Sequence, residues 1–93
     1  MKANTVRAAI ENKTDYQSRA RKHITYSIYR HGREVIPLVT VPHGRDDLKI
    51  GTQNSIRNAL RLNKEQFQKF VNCPLSKRDY EEILDNLITE GEL

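Results

Sequence analysis

Apolar positions recur along this chain with two different periods, and the switches between them divide it into elements. Near the N-terminus Val6, Ala9 and Ile10 share one face of a short helix that Asn4 can cap, ending near residues 12–15. From Tyr16 the period falls to two. Tyr16, Ser18 and Ala20 take one side, and Gln17, Arg19 and Arg21 the other. After Lys22 the alternation resumes, with Ile24, Tyr26 and Ile28 facing one way and His23, Thr25, Ser27 and Tyr29 the other. His31-Gly32-Arg33 supplies a turn in which Gly32 tolerates a positive φ. Residues 35–41 then read as a third strand, and Pro37 inside it, lacking an N–H, predicts a sheet edge or a bulge.

Residues 42–47 form a loop, after which the period returns to that of a helix. Thr52 suits an N-cap opening a helix over residues 53–60. Asn63 with Gln66 and Ser76 with Asp79 each have the spacing of a capping box, and Pro74 separates the two helices they open. Tyr80, Ile83, Leu84, Leu87 and Ile88 form the cleanest helical stripe of the chain, and Gly91 can end it. The order is helix, three strands, then two or three helices. Strands joined by such short turns form an antiparallel meander, with helices covering one of its faces. The fold class is α+β, a single domain over residues 1–93 with a core of about 4–72 and a C-terminal helical extension of about 76–90.

Composition narrows the classes of function. The chain has 93 residues, 37% apolar and 30% charged, which fits one folded domain rather than a disordered segment. Its net charge of +4 is unevenly placed. Residues 1–61 carry 12 Lys/Arg against 5 Asp/Glu, and residues 62–93 carry 4 against 7. A basic body with an acidic tail favours a polyanionic partner. Cys73 is the only cysteine, so no internal disulfide or thiolate zinc cage can form, and it reads as a buried small hydrophobe. No stretch reaches membrane-spanning length and the N-terminus lacks the apolar run of a signal peptide, so a cytoplasmic location and no membrane partner are expected. No carboxylate pair or metal-ligand cluster stands out, and the chemistry expected needs no metal and no cofactor.

Strand alternation also assigns the charges. If Ile24, Tyr26 and Ile28 face helices, then Arg19, Arg21 and His23 project from the opposite face, with Lys22 in the turn beside them. Such a patch neutralises phosphates, although a solvated strand face would have the same pattern. Lys49, just before Gly51-Thr52, lies where a helix N-terminus can attract an anion.

The segment Val41-Pro42-His43-Gly44, followed by Leu48, Gly51-Thr52 and Ser55-Ile56, resembles the HicA toxin family of type II toxin–antitoxin pairs. The resemblance covers roughly residues 16–71. It implies a fold like a double-stranded-RNA-binding domain and an activity as a ribosome-independent mRNA endonuclease neutralised by a HicB-like antitoxin. It also implies one catalytic histidine at the start of the second strand, which falls on His23 here; Arg21 and Lys22 stand where the family has Gly and Ser. Arg19, Arg21, Lys22 and Lys49 are the candidate RNA-binding residues. His31 and His43 fall in turns, and His43, though within the family motif, reads first as a loop-shaping residue. Two further functions compete: a non-catalytic RNA-binding module on the same fold, and a helix-turn-helix DNA regulator built from residues 55–60 and 64–71. The acidic last helix can pack on the domain, or meet an antitoxin or a second copy of the chain.

Overall fold

In a computed structural model covering residues 1–93, the first apolar stripe folds as helix α1 (Ala3–Lys13), with Val6, Ala9 and Ile10 buried. Asn4 does not cap it. Lys2 holds the N-cap position, and no side chain accepts from the first turn. A tertiary contact fixes the entry instead: the Ala3 N–H donates to the Asp46 carbonyl (3.0 Å), and the Leu48 N–H to the Met1 carbonyl (2.8 Å). One of the orphan donors of the helix is thus satisfied from a loop far along the chain.

The sheet is an antiparallel meander of β1 (Asp15–Ala20), β2 (Ile24–Arg30) and β3 (Arg33–Val41), in that spatial order. Tyr16 lies opposite Ile28, Ser18 opposite Tyr26 and Ala20 opposite Ile24, so these residues share the face that meets the helices. Tyr26 and Ile28 are fully buried there. The Tyr26 hydroxyl donates to Glu11 of α1 (2.5 Å), and burial together with that carboxylate pushes its pKa well above the ordinary tyrosine value.

Strand β3 is irregular. Tyr26 pairs with Val39, Ile28 with Ile36 and Tyr29 with Glu34, so β3 carries one extra residue at each of two bulges. Pro37 falls in the first, where its carbonyl accepts from the Ser27 hydroxyl (3.1 Å). The second lets the consecutive Val35 and Ile36 both be buried, which strict alternation forbids. Pro37 therefore marks both a bulge and an edge strand.

Helices α2 (Ile50–Ala59), α3 (Lys64–Asn72) and α4 (Lys77–Thr89) follow. Helix α2 starts earlier than expected, with Lys49 at the N-cap and Thr52 inside the first turn. Leu48 is anchored in the core, and the helix begins as soon as the chain leaves that anchor; the Gln53 side chain reaches back to the Leu48 carbonyl (2.9 Å). Both expected capping boxes form, Asn63 with Gln66 and Ser76 with Asp79. Cys73 is exposed rather than buried. It takes the left-handed position that ends α3 (φ 86°), and the Leu75 N–H folds back onto the Lys69 carbonyl (3.1 Å), so Leu75 enters the core and Cys73 stays outside.

The apolar side chains of the sheet and the helices merge into one core, to which α4 contributes Tyr80 and Leu84. The stretch 77–89 is thus part of the single core rather than an appendage. Phe70 and Tyr80 pack with ring centroids 5.0 Å apart, and the Tyr80 hydroxyl donates to the Leu60 carbonyl (2.9 Å). The buried Lys13 ammonium donates to the Phe70 carbonyl (2.6 Å) in the last turn of α3, where a helix leaves carbonyls unpaired. Charges fasten the rim of α4. Arg30 makes a two-pronged pair with Asp85 (2.9 and 2.8 Å) and reaches Glu81 (3.3 Å), while Lys77 meets Asp15 (2.9 Å). Arg30, and with it His31 (2.9 Å), holds the Asp85 carboxyl down to about 2.

Tyr80→Phe should lower the unfolding free energy by about 1 kcal/mol, and Leu84→Ala by about 2–5 kcal/mol, read from urea denaturation. Because the folded-state pKa of Asp85 is depressed, its stabilising effect is complete above the ordinary aspartate value of about 4 and fades as pH falls toward 2. Asp85→Asn should therefore flatten the dependence of stability on pH in that window, and an unchanged acid profile would contradict the ionic docking of α4.

Candidate nucleic-acid interface

Because the helices take one face of the sheet, the alternate strand positions have nowhere to point but outward. Arg19 lies opposite Thr25, and Gln17 opposite Ser27, on the uncovered face. There they line a hollow of about 400 Å³ with Arg21 and, across the sheet, Pro37 and Leu38. Leu38 is 60% exposed, the only large apolar side chain in the hollow. No carboxylate lines it. Four cations elsewhere pair with carboxylates: Lys2 with Asp47, Arg30 with Asp85 and Glu81, Lys69 with Glu65, and Lys77 with Asp15. Arg19, Arg21 and Lys22 have no such partner within 4.0 Å, so their field is uncompensated by the protein.

Strand β1 ends at Ala20 and β2 starts at Ile24, so Arg21, Lys22 and His23 form the connecting bend, closed by the Arg21 N–H donating to the His23 carbonyl (3.0 Å). His23 therefore sits in the turn rather than as the first residue of β2. It is exposed, as are Arg19, Arg21 and Lys22. Of the three histidines, His31 and His43 are held by ring hydrogen bonds, and His23 is not.

Two residues beyond the expected set fix this bend. The His43 Nε2 lies 2.9 Å from the Arg21 carbonyl. A carbonyl only accepts, so Nε2 carries the proton and the ring is pinned in one orientation. His43 is in turn placed by Arg7 of α1, whose guanidinium donates to the carbonyls of Pro42 (2.6 Å) and Gly44 (2.8 Å) on either side of it. The relay runs from helix α1, through the loop after β3, to the turn that carries the cations. The turn position of His43 signals a shaping role, but not which carbonyl it serves. Nothing in the local pattern around Arg7 marks it, because its partners lie 35 and 37 residues away.

Lys49 is exposed at the α2 N-cap, and the structure does not bring it into the Arg19–Arg21 hollow. It shares a separate depression with His43, Asp46 and Asp47, where two carboxylates outnumber its single charge. Helices α2 and α3 succeed one another as a helix-turn-helix requires; on α3 Lys69 pairs with Glu65 (3.0 Å) and Asn72 donates to Gln68 (3.1 Å), while Lys64 is exposed and has no carboxylate partner. No three His, Cys, Asp or Glu side chains converge as metal ligands, and no helix is long and apolar enough to cross a membrane.

No family model, curated protein or solved structure matches this chain.

The relay through His43 can be checked directly. His43→Ala should raise amide hydrogen exchange across residues 21–24 without loss of the fold, and His43→Gln, which keeps a donor at similar reach, should restore most of the protection. Arg7→Ala should free two carbonyls at once, cost about 1–3 kcal/mol, and raise exchange at residues 42–44 as well. Unchanged exchange at the bend in both Ala variants would show that neither residue holds it.

Proposed function

We propose that this chain is an RNA-binding protein of the HicA-like kind, acting as a metal-independent mRNA endonuclease with His23 as its catalytic base and a HicB-like antitoxin as its neutralising partner. One observation carries the reading. An exposed imidazole stands in the same bend as Arg21 and Lys22, next to Arg19, and no carboxylate of the chain pairs with these cations. The element order, a helix, a three-stranded antiparallel meander and a helix, supports a fold like a double-stranded-RNA-binding domain, with α3 and α4 added after it.

The chemistry asks little of the protein. RNA carries its own nucleophile, the 2′-hydroxyl, beside each phosphate. The imidazole takes the 2′-proton, the 2′-oxygen bonds to phosphorus, and the bond from phosphorus to the 5′-oxygen breaks, with a solvent proton going to the departing oxygen. The products are a 2′,3′-cyclic phosphate and a 5′-hydroxyl. Arg19, Arg21 and Lys22 hold the backbone and stabilise the charge that gathers on phosphate.

A second reading, a non-catalytic RNA-binding module, is favoured by two observations: no group of the protein orients the His23 ring, and Arg21-Lys22 replaces the Gly-Ser of the resembled motif. One experiment separates the two. Labelled RNA is incubated with His23→Ala and with the unmodified chain, each with chelator present, and cleavage and affinity are measured separately. The endonuclease reading expects shorter products from the unmodified chain alone, with similar affinity for both. Binding without cleavage by either supports the module, and cleavage that survives His23→Ala removes the assigned role. Arg19→Ala and Arg21→Ala should each weaken binding and lower the slope of log affinity against log salt by about 1. Stronger binding to duplex DNA than to RNA at matched salt would contradict both readings.

A further inference from the structure

The two edges of the sheet are built differently. The β3 edge is blunted by Pro37 and by two bulges, devices that prevent another strand from pairing. Strand β1 forms the opposite edge and has neither proline nor bulge; its six residues pair in an unbroken register with β2. The helical layer also stops short of it. Tyr16, Ser18 and Ala20 point to the helix side, yet all three are exposed, as is every other residue of β1. Strand β1 therefore has two open faces and an outer row of unpaired backbone N–H and C=O groups, with the Lys77 side chain reaching it from α4 at Asp15.

We propose that β1 is a dimerisation edge, pairing antiparallel with β1 of a second copy of this chain about a two-fold axis through Gln17 and normal to the sheet. The side-chain pattern selects this occupant and register. Residues directly opposite in an antiparallel pair share a face, so pairing centred on Gln17 sets Asp15 of each copy opposite Arg19 of the other, Tyr16 opposite Ser18, and Gln17 opposite itself. The acid and base four residues apart on β1 thus become two identical cross-strand ion pairs, as a self-complementary interface demands. Asp15 already accepts from Lys77 on its own chain, and a carboxylate has acceptor capacity for both. The result is a six-stranded sheet with all helices on one side, and the open faces of both copies join with the two Arg21 side chains on one continuous surface. The dimer does not depend on the RNA reading, and its test needs no RNA.

Sedimentation velocity of the unmodified chain across a concentration series should show a monomer–dimer equilibrium. Asp15→Arg or Arg19→Asp alone, each placing like charges opposite one another, should weaken association about tenfold or more. The double swap, Asp15→Arg with Arg19→Asp, should restore it. Independently, exchange of the β1 amides in the unmodified chain should slow as concentration rises, which holds the test open should a variant misfold. A chain that remains monomeric up to about 1 mM overturns the proposal, as would a strand from another protein being the true occupant of this edge. So does a dimer that is indifferent to both single swaps and leaves β1 exchange unchanged.

Discussion

The structure depends on a single constraint: a three-stranded sheet whose apolar residues alternate can be covered on one face only. Helices α1 and α4 close over Tyr26 and Ile28, and the core forms there. Once that face is taken, Gln17, Arg19, Thr25 and Ser27 must face solvent, and the bend after β1 projects its charges beside them. The cationic surface is the other side of the same hydrophobic burial. A one-residue slip of β1 against β2 would exchange Arg19 with Ser18 and send a guanidinium toward the helices, so core packing fixes the charge pattern as well.

Burial alone does not hold the bend in place. Its position follows from a chain of polar contacts in which Arg7, His43 and the Arg21 carbonyl each satisfy a group that the next element leaves unpaired. Helix α1 thereby acts twice, packing Val6 and Ile10 into the core and steering the turn through a side chain on its flank. The other end of the sheet uses charge instead. Arg30 and His31, at the β2–β3 turn, meet Asp85 on α4. There two acidic side chains of the last helix, Glu81 and Asp85, are paired within the domain. The cations near the β1–β2 bend have no carboxylate partner within the chain.

Much of the fold was legible in the sequence, because it follows from local rules. Periods of two and 3.6 located the strands and helices, and both capping boxes formed where Asn63–Gln66 and Ser76–Asp79 predicted them. The misplaced features share one cause. Asn4 and Thr52 are sound caps by local chemistry, but the Asp46 carbonyl and the anchored Leu48 set those helix starts from outside the helices. Cys73 is apolar enough for a core, yet the left-handed end of α3 turned Leu75 inward in its place. The paired bulges of β3, which bury Val35 and Ile36 together, have no signal beyond Pro37.

By itself, then, the sequence determined the order of elements, the face that β2 buries, and hence the outward projection of Arg19 beside the Arg21–Lys22–His23 bend. Those outcomes depend on near neighbours along the chain and on the alternation of side chains. Only the tertiary structure decided that Lys49 lies apart beside two carboxylates, that His43 and Arg7 hold the bend, and that β1 extends beyond the helices as an open edge. These depend on where residues tens of positions apart come to rest, a quantity that local period and propensity do not carry.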